Sequence, residues 1–190
     1  MAKNQSMSKI IKLLIISDLL IYFGIGLTSN ILSIFIKDNL GGTILIAGFA
    51  MGLFLLIKSV LQIVFSKIFS RKHRLKMVLI GSALIAITPF IYAFSNNLRM
   101  LLLAQAVYGL GAGLTAPAWM NMFVKNLSQK RPGFEWSVYS TIVNLGIAIA
   151  AYLGAWLVQL WGFKSVFILS GIFGILGTLV LLKLTEEKMK

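Results

Sequence analysis

Six apolar stretches dominate this chain, each close to or above the ~20 residues that an α-helix needs to cross a hydrocarbon layer about 30 Å thick. They run approximately from Ile11 to Ile36, Thr43 to Phe65, Met77 to Phe94, Leu98 to Val124, Phe134 to Trp161 and Phe163 to Leu182. The connectors between them, such as Lys37 to Gly42 and Ser128 to Gly133, are short and polar or glycine-bearing, which leaves no room for a soluble domain. Backbone in hydrocarbon must satisfy its own hydrogen bonds, so the expected fold is an all-α integral membrane bundle of six transmembrane helices, one domain over residues 1–190. The first stretch is longer than a secretory leader's apolar region and more spans follow it, so it reads as a span. With 58% hydrophobic and only 12% charged residues, the composition excludes a disordered chain, a nucleic-acid module and most soluble enzymes.

The net charge of +13 takes its meaning from where the cations sit. With the amino terminus on the cytoplasmic side, that side holds Lys3, Lys9 and Lys12, then Lys67, Arg71, Lys72, Arg74 and Lys76, then Lys125, Lys130 and Arg131, and finally Lys183, Lys188 and Lys190. The opposite side holds only Lys37, Arg99 and Lys164, and Lys58 falls inside a span. Such asymmetry predicts a multi-pass protein of the cell membrane with both termini cytoplasmic. The basic balance is therefore topological, with weak attraction to anionic lipid headgroups and no nucleic-acid partner.

Shifting the sequence by 87 positions lays Gly24, Gly26, Leu27 and Thr28 on Gly111, Gly113, Leu114 and Thr115, and Asn39 and Leu40 on Asn126 and Leu127. The first and fourth spans cross in opposite directions, so the bundle is expected to consist of two inverted three-helix repeats, approximately 11–94 and 98–182.

After the second span the chain reads Ser66-Lys-Ile-Phe-Ser70-Arg71-Lys72-His73-Arg74-Leu-Lys76. This resembles the major facilitator superfamily, whose corresponding loop follows a Gly-x-Leu-Ala-Asp-Arg-x-Gly-Arg-Lys pattern. Arg71 and Arg74 keep the two arginines, Ile68 replaces the Leu, and Ser66, Ser70 and His73 stand where Gly, Asp and Gly are usual. The resemblance makes Arg71 and Arg74 cytoplasmic gate residues, with Glu135 as the nearest substitute partner for the missing Asp. The fourth span, from Ala104 to Pro117, resembles the superfamily's Arg-x-x-Gln-Gly-x-Gly helix, with Gln105 in the Arg position. The fifth, from Gly146 to Ala155, resembles the antiporter pattern without its Pro, and Trp161 to Phe167 resembles the usual start of helix six.

The resemblance covers the whole chain but only half of the usual twelve-helix protein. It implies membrane transport of a small solute by alternating access, with this chain a half-size transporter assembled as a homodimer. A split transporter with a different six-helix half as partner, or a non-transporting membrane scaffold or regulatory subunit, are the alternatives.

Two ionisable residues lie inside spans, Asp18 and Lys58, each ~10 Å from the cytoplasmic end. Charge at that depth is costly unless paired or hydrated, so both are expected to bind solute or coupling ion, or to pair with one another. Tyr22 shares a helical face with Asp18, Gln105 shares one with Tyr108, and Asn144 sits mid-span; all are expected to line a polar cavity. Gly48 and Gly52, Gly109 and Gly113, and Gly146 and Gly154 place small residues where helix backbones meet in lipid. Gly171, Gly174 and Gly177 read the same way, and Pro89 and Pro117 are expected to kink their spans. Trp119, Trp136, Trp156 and Trp161 read as interface anchors or packing. There is no cysteine, one histidine, no Ser-His-Asp set and no phosphate loop, so neither enzyme chemistry nor a cofactor or metal is expected.

Overall fold

Each apolar stretch becomes helical because hydrocarbon offers its amides no other partner, and polar residues at the stretch ends satisfy the first free N–H groups. The Ser8 Oγ accepts from the Ile11 N–H at 3.2 Å and the Asn97 Oδ1 from the Met100 N–H at 2.9 Å. The computed structural model describes residues 7–68 and 73–184. Its helices are α1 (Lys9–Ser29), α2 (Ile31–Asp38), α3 (Ile44–Ile68), α4 (Arg74–Ala93), α5 (Leu98–Asn126) and α6 (Pro132–Leu181). Helix α2 continues α1 after a single interruption at Asn30, and together they make one apolar run of 30 residues. Among the described residues, five helical runs are long and apolar enough to cross a membrane. Pro89 and Pro117 lie inside α4 and α5, whose helical hydrogen bonding continues on either side of them.

Helix α6 has 50 residues, which would extend about 75 Å if straight, more than twice the hydrocarbon thickness. Gly162 interrupts it at φ 74° and ψ 168°, a conformation open to glycine and strained for other residues. The neighbours of α1 reveal what this break does. In the first part of α6, Gly146 lies on Leu19, Ala150 on Gly26 and Gly154 on Leu27, so the numbers rise together. In the second part, Ser170 lies on Gly24 and Gly177 on Ile21 and Ser17, so one rises as the other falls. The chain reverses at Gly162, between the last two apolar stretches.

Contacts concentrate where side chains are smallest. Helix α6 packs along α1, α3 and α4 along α5, and α4 along α6. A methyl on Gly26 would stand 2.9 Å from the Ala150 Cβ, and one on Gly109 would stand 2.9 Å from the Phe54 carbonyl oxygen. At Gly154 it would run into the Leu27 carbonyl oxygen. Two hydroxyls add polar stitches between α1 and α6: Ser17 Oγ donates to the Gly177 carbonyl at 2.9 Å and Ser170 Oγ to the Gly24 carbonyl at 2.6 Å.

Gly109, Gly113, Gly146 and Gly154 thus occupy helix contacts, as do Gly171, Gly174 and Gly177. Gly48 and Gly52 do not: a Cβ on either would meet nothing within 4 Å. Helix α3 turns Phe54, Ile57, Lys58 and Leu61 to α5, and its two glycines fall on the outward side with Phe49, Met51 and Leu56.

These contacts set an expected contrast. Gly154→Ala lowers stability by about 1–3 kcal/mol through overpacking, whereas Gly48→Ala stays within about 0.5 kcal/mol. Unfolding midpoints in a mixed-detergent titration of the two variants measure the difference.

Candidate functional site

Helices α1 and α5 touch each other little, and the space between them forms a cavity of about 370 Å³. Helical spacing explains its walls. Asp18, Ile21, Tyr22 and Ile25 form one face of α1, and Tyr108, Ala112, Thr115 and Trp119 form one face of α5, each at steps of three or four residues. Phe54 and Lys58, one turn apart on α3, and Ser82 and Ile85 on α4 close two sides, while Trp136 and Tyr139 reach in from α6.

Asp18 is buried, with 6% of its surface exposed. The Tyr139 hydroxyl donates to its Oδ2 at 2.9 Å, joining α1 to the start of α6. The Trp119 indole lines the same cavity, and its buried Nε1 has no acceptor in hydrogen-bond geometry. Around this group Trp119, Phe123, Trp136 and Tyr139 form a continuous aromatic cluster, with ring centroids between 4.8 and 5.8 Å apart. Lys58 lines the same cavity, and its ammonium stands 5.9 Å from the centroid of the Phe54 ring, itself stacked on Tyr108 at 4.2 Å. Asp18 and Lys58 are therefore brought to one cavity, and among the described residues they take these separate neighbours without forming an ion pair. The hydroxyl oxygens of Ser82 and Thr115, also on the wall, are buried without a hydrogen-bond partner.

The other expected residues fall elsewhere. Gln105 is 2% exposed and its Oε1 is unpartnered, but it does not line this cavity. Asn144 is exposed on α6, where its Nδ2 donates to the Ser140 Oγ at 3.2 Å. Glu135, in the first turn of α6, is buried and accepts from the Ser128 N–H at 2.9 Å, fastening the connector before it. Arg74 lines a separate pocket of about 230 Å³ with Ser66, Pro117 and Asn121. Arg71 lies outside the described residues.

Tyr139, Trp119 and Trp136 were not expected in the cavity. The signal available for Trp119 was its place on the stripe from Tyr108 through Thr115; Tyr139 carried none beyond being a tyrosine in an apolar helix. Trp156 and Trp161, by contrast, are 50% and 62% exposed, as expected of residues facing lipid or its interface.

The sequence profile of the Major Facilitator Superfamily matches residues 14–190. The quinolone resistance protein NorA of Staphylococcus aureus is 23% identical over 184 residues, covering 97% of this chain and 47% of NorA. An MFS-type transporter of Methanocaldococcus jannaschii is 24% identical over 160 residues, covering 83% of this chain and 40% of the relative. The chain thus spans about half the length of the curated relatives it matches. Among solved structures, a POT peptide transporter in complex with alafosfalin superposes with a TM-score of 0.77 at 18% identity, over 91% of this chain and 37% of that one. With the profile match running over nearly its entire length, the chain belongs to the major facilitator superfamily, a family of multi-pass membrane transporters and not of enzymes.

Proposed function

We propose that this chain is one lobe of a membrane transporter that moves a small organic solute by alternating access, and that a second six-helix lobe, another copy of the same chain, completes the pathway. The observation that carries this reading is the cavity between α1 and α5. It holds a buried carboxylate, a lysine and unpartnered hydroxyls inside a bundle of apolar helices. Polar groups kept at such cost in hydrocarbon mark a solute or ion path. Asp18, Tyr22 and Lys58 contact the solute or coupling ion from the cavity wall; Gln105 and Asn144 stand away from the cavity and complete the set in another conformation. Arg71, Arg74 and Glu135 gate the cytoplasmic side.

The lobe crosses the membrane six times, counting α6 as two spans joined at Gly162, and consists of two inverted three-helix repeats. A correspondence among contacts supports this. Gly111 meets Gly81 and Leu84 as Gly24 meets Ser170 and Phe173; Gly113 meets Lys58 and Leu61 as Gly26 meets Ile147 and Ala150. The glycines are related by a shift of 87 residues and all four partner pairs by 89. Lobes of this kind rock about a site near the membrane midplane. A second lobe has a surface to meet, since α3 presents Ile44, Leu45, Phe49 and Leu56 outward at 60% exposure or more. A different six-helix chain as partner would use the same surface. Ser70 and Gln105, which replace the family's loop Asp and helix Arg, favour a second reading, a non-transporting scaffold.

Two outcomes follow. In proteoliposomes, Asp18→Asn slows entry of whichever radiolabelled solute the wild type admits by roughly tenfold or more, the scale of one charge-assisted contact; unchanged flux removes Asp18 from the mechanism. Because the chain has no cysteine, single cysteines report its orientation. In intact cells a membrane-impermeant maleimide labels Gly41→Cys, and it labels Lys130→Cys only after permeabilisation; the reverse pattern refutes cytoplasmic termini.

A further inference from the structure

We infer that the solute taken by the cavity between α1 and α5 is a small aromatic zwitterion, its cationic group on Asp18 and its anionic group on Lys58. The inference rests on reading this cavity as the solute site, and it goes further by fixing the chemistry of what fits there.

Two opposite charges line one cavity without joining each other: Asp18 takes the Tyr139 hydroxyl at 2.9 Å, and Lys58 stands over the Phe54 ring. A neutral hydroxyl compensates the buried Asp18 carboxylate only in part, which is costly in a low-dielectric interior, and the half-buried Lys58 holds its ammonium at the same cavity with only a ring face beside it. A cation alone would satisfy Asp18 and crowd Lys58 with a like charge. An anion alone would do the reverse. A molecule carrying both charges at separate ends satisfies both residues at once, and it must hold them apart because the protein does.

The remaining wall specifies the body of the solute. Tyr22, Phe54, Tyr108, Trp119, Trp136 and Tyr139 supply six aromatic rings, whose faces favour stacked or edge contacts with another ring and attract its cationic end. The buried hydroxyls of Ser82 and Thr115 lack partners and offer two orienting hydrogen bonds. The volume, about 370 Å³, falls in the range of small-molecule pockets.

Four probes that share one ring and differ in charge test the inference: 5-carboxytryptamine as zwitterion, tryptamine as cation, indole-5-carboxylate as anion and indole as neutral. Their binding to the full chain in nanodiscs is measured by equilibrium dialysis. The zwitterion is expected to bind roughly tenfold or more tightly than either singly charged probe. Asp18→Asn brings it down to the level of the anion and Lys58→Met to that of the cation. Tyr139→Phe leaves both charges in place and must preserve the order of the four probes, which separates charge recognition from damage to the fold. Tryptamine binding as tightly as the zwitterion, or four probes that bind alike or not at all, overturns the inference. Flux in proteoliposomes is scored separately. Vesicles that transport a solute while the probes bind alike refute the zwitterion and leave the transport reading standing; charge-ordered binding with no flux of the zwitterion does the opposite.

Discussion

Helices in a bilayer gain nothing from the hydrophobic effect when they meet, so close backbone approach must supply the attraction. In this protein that approach depends on glycines along α1 and α5, which bring Gly24 against Ser170, Gly26 against Ala150, Gly111 against Gly81 and Gly113 against Lys58 and Leu61. Each axis thereby acquires two tightly held neighbours, the two halves of α6 on α1, and α3 and α4 on α5. Side chains with a Cβ at these four glycines would separate the helices, and the hydroxyl stitch from Ser170 to the Gly24 carbonyl would be lost with them.

The same arrangement leaves room between α1 and α5. Because α1 and α5 spend their small residues on other helices, the faces they turn to each other keep large and polar side chains, and a cavity opens between them. Asp18 and Tyr22 sit on one such face and Tyr108, Thr115 and Trp119 on the other. The bond from Tyr139 to Asp18 ties the start of α6 to this cavity. Packing and cavity are two uses of the same helices, divided by face.

Much of this was legible in the residues. The apolar stretches give the helices to within a few residues at most ends, and Gly162 falls at the boundary expected between Trp161 and Phe163. Asp18, Tyr22 and Lys58 stand out in the sequence because a charge or phenol in hydrocarbon needs a reason, and the structure brings all three to one cavity. Asn144 falls off the cavity for a physical cause: in a helix, a polar side chain can satisfy itself on its own turn, as it does with Ser140. Gly48 and Gly52 mislead because small-residue spacing marks where a helix can be approached and does not say by what. Tyr139 and Trp136 were not legible as site residues, since an aromatic near a span end serves a membrane interface equally well. Their inward place shows only in the contacts, Tyr139 on Asp18 and on the Trp119 and Trp136 rings.

The central claim is that this chain is one lobe of a two-lobed path. The mass of the particle in nanodiscs, with bound lipid accounted for, tests it most directly. The account predicts a particle of two 20.9 kDa chains; a stable single chain, with the outward face of α3 covered by lipid alone, would contradict it.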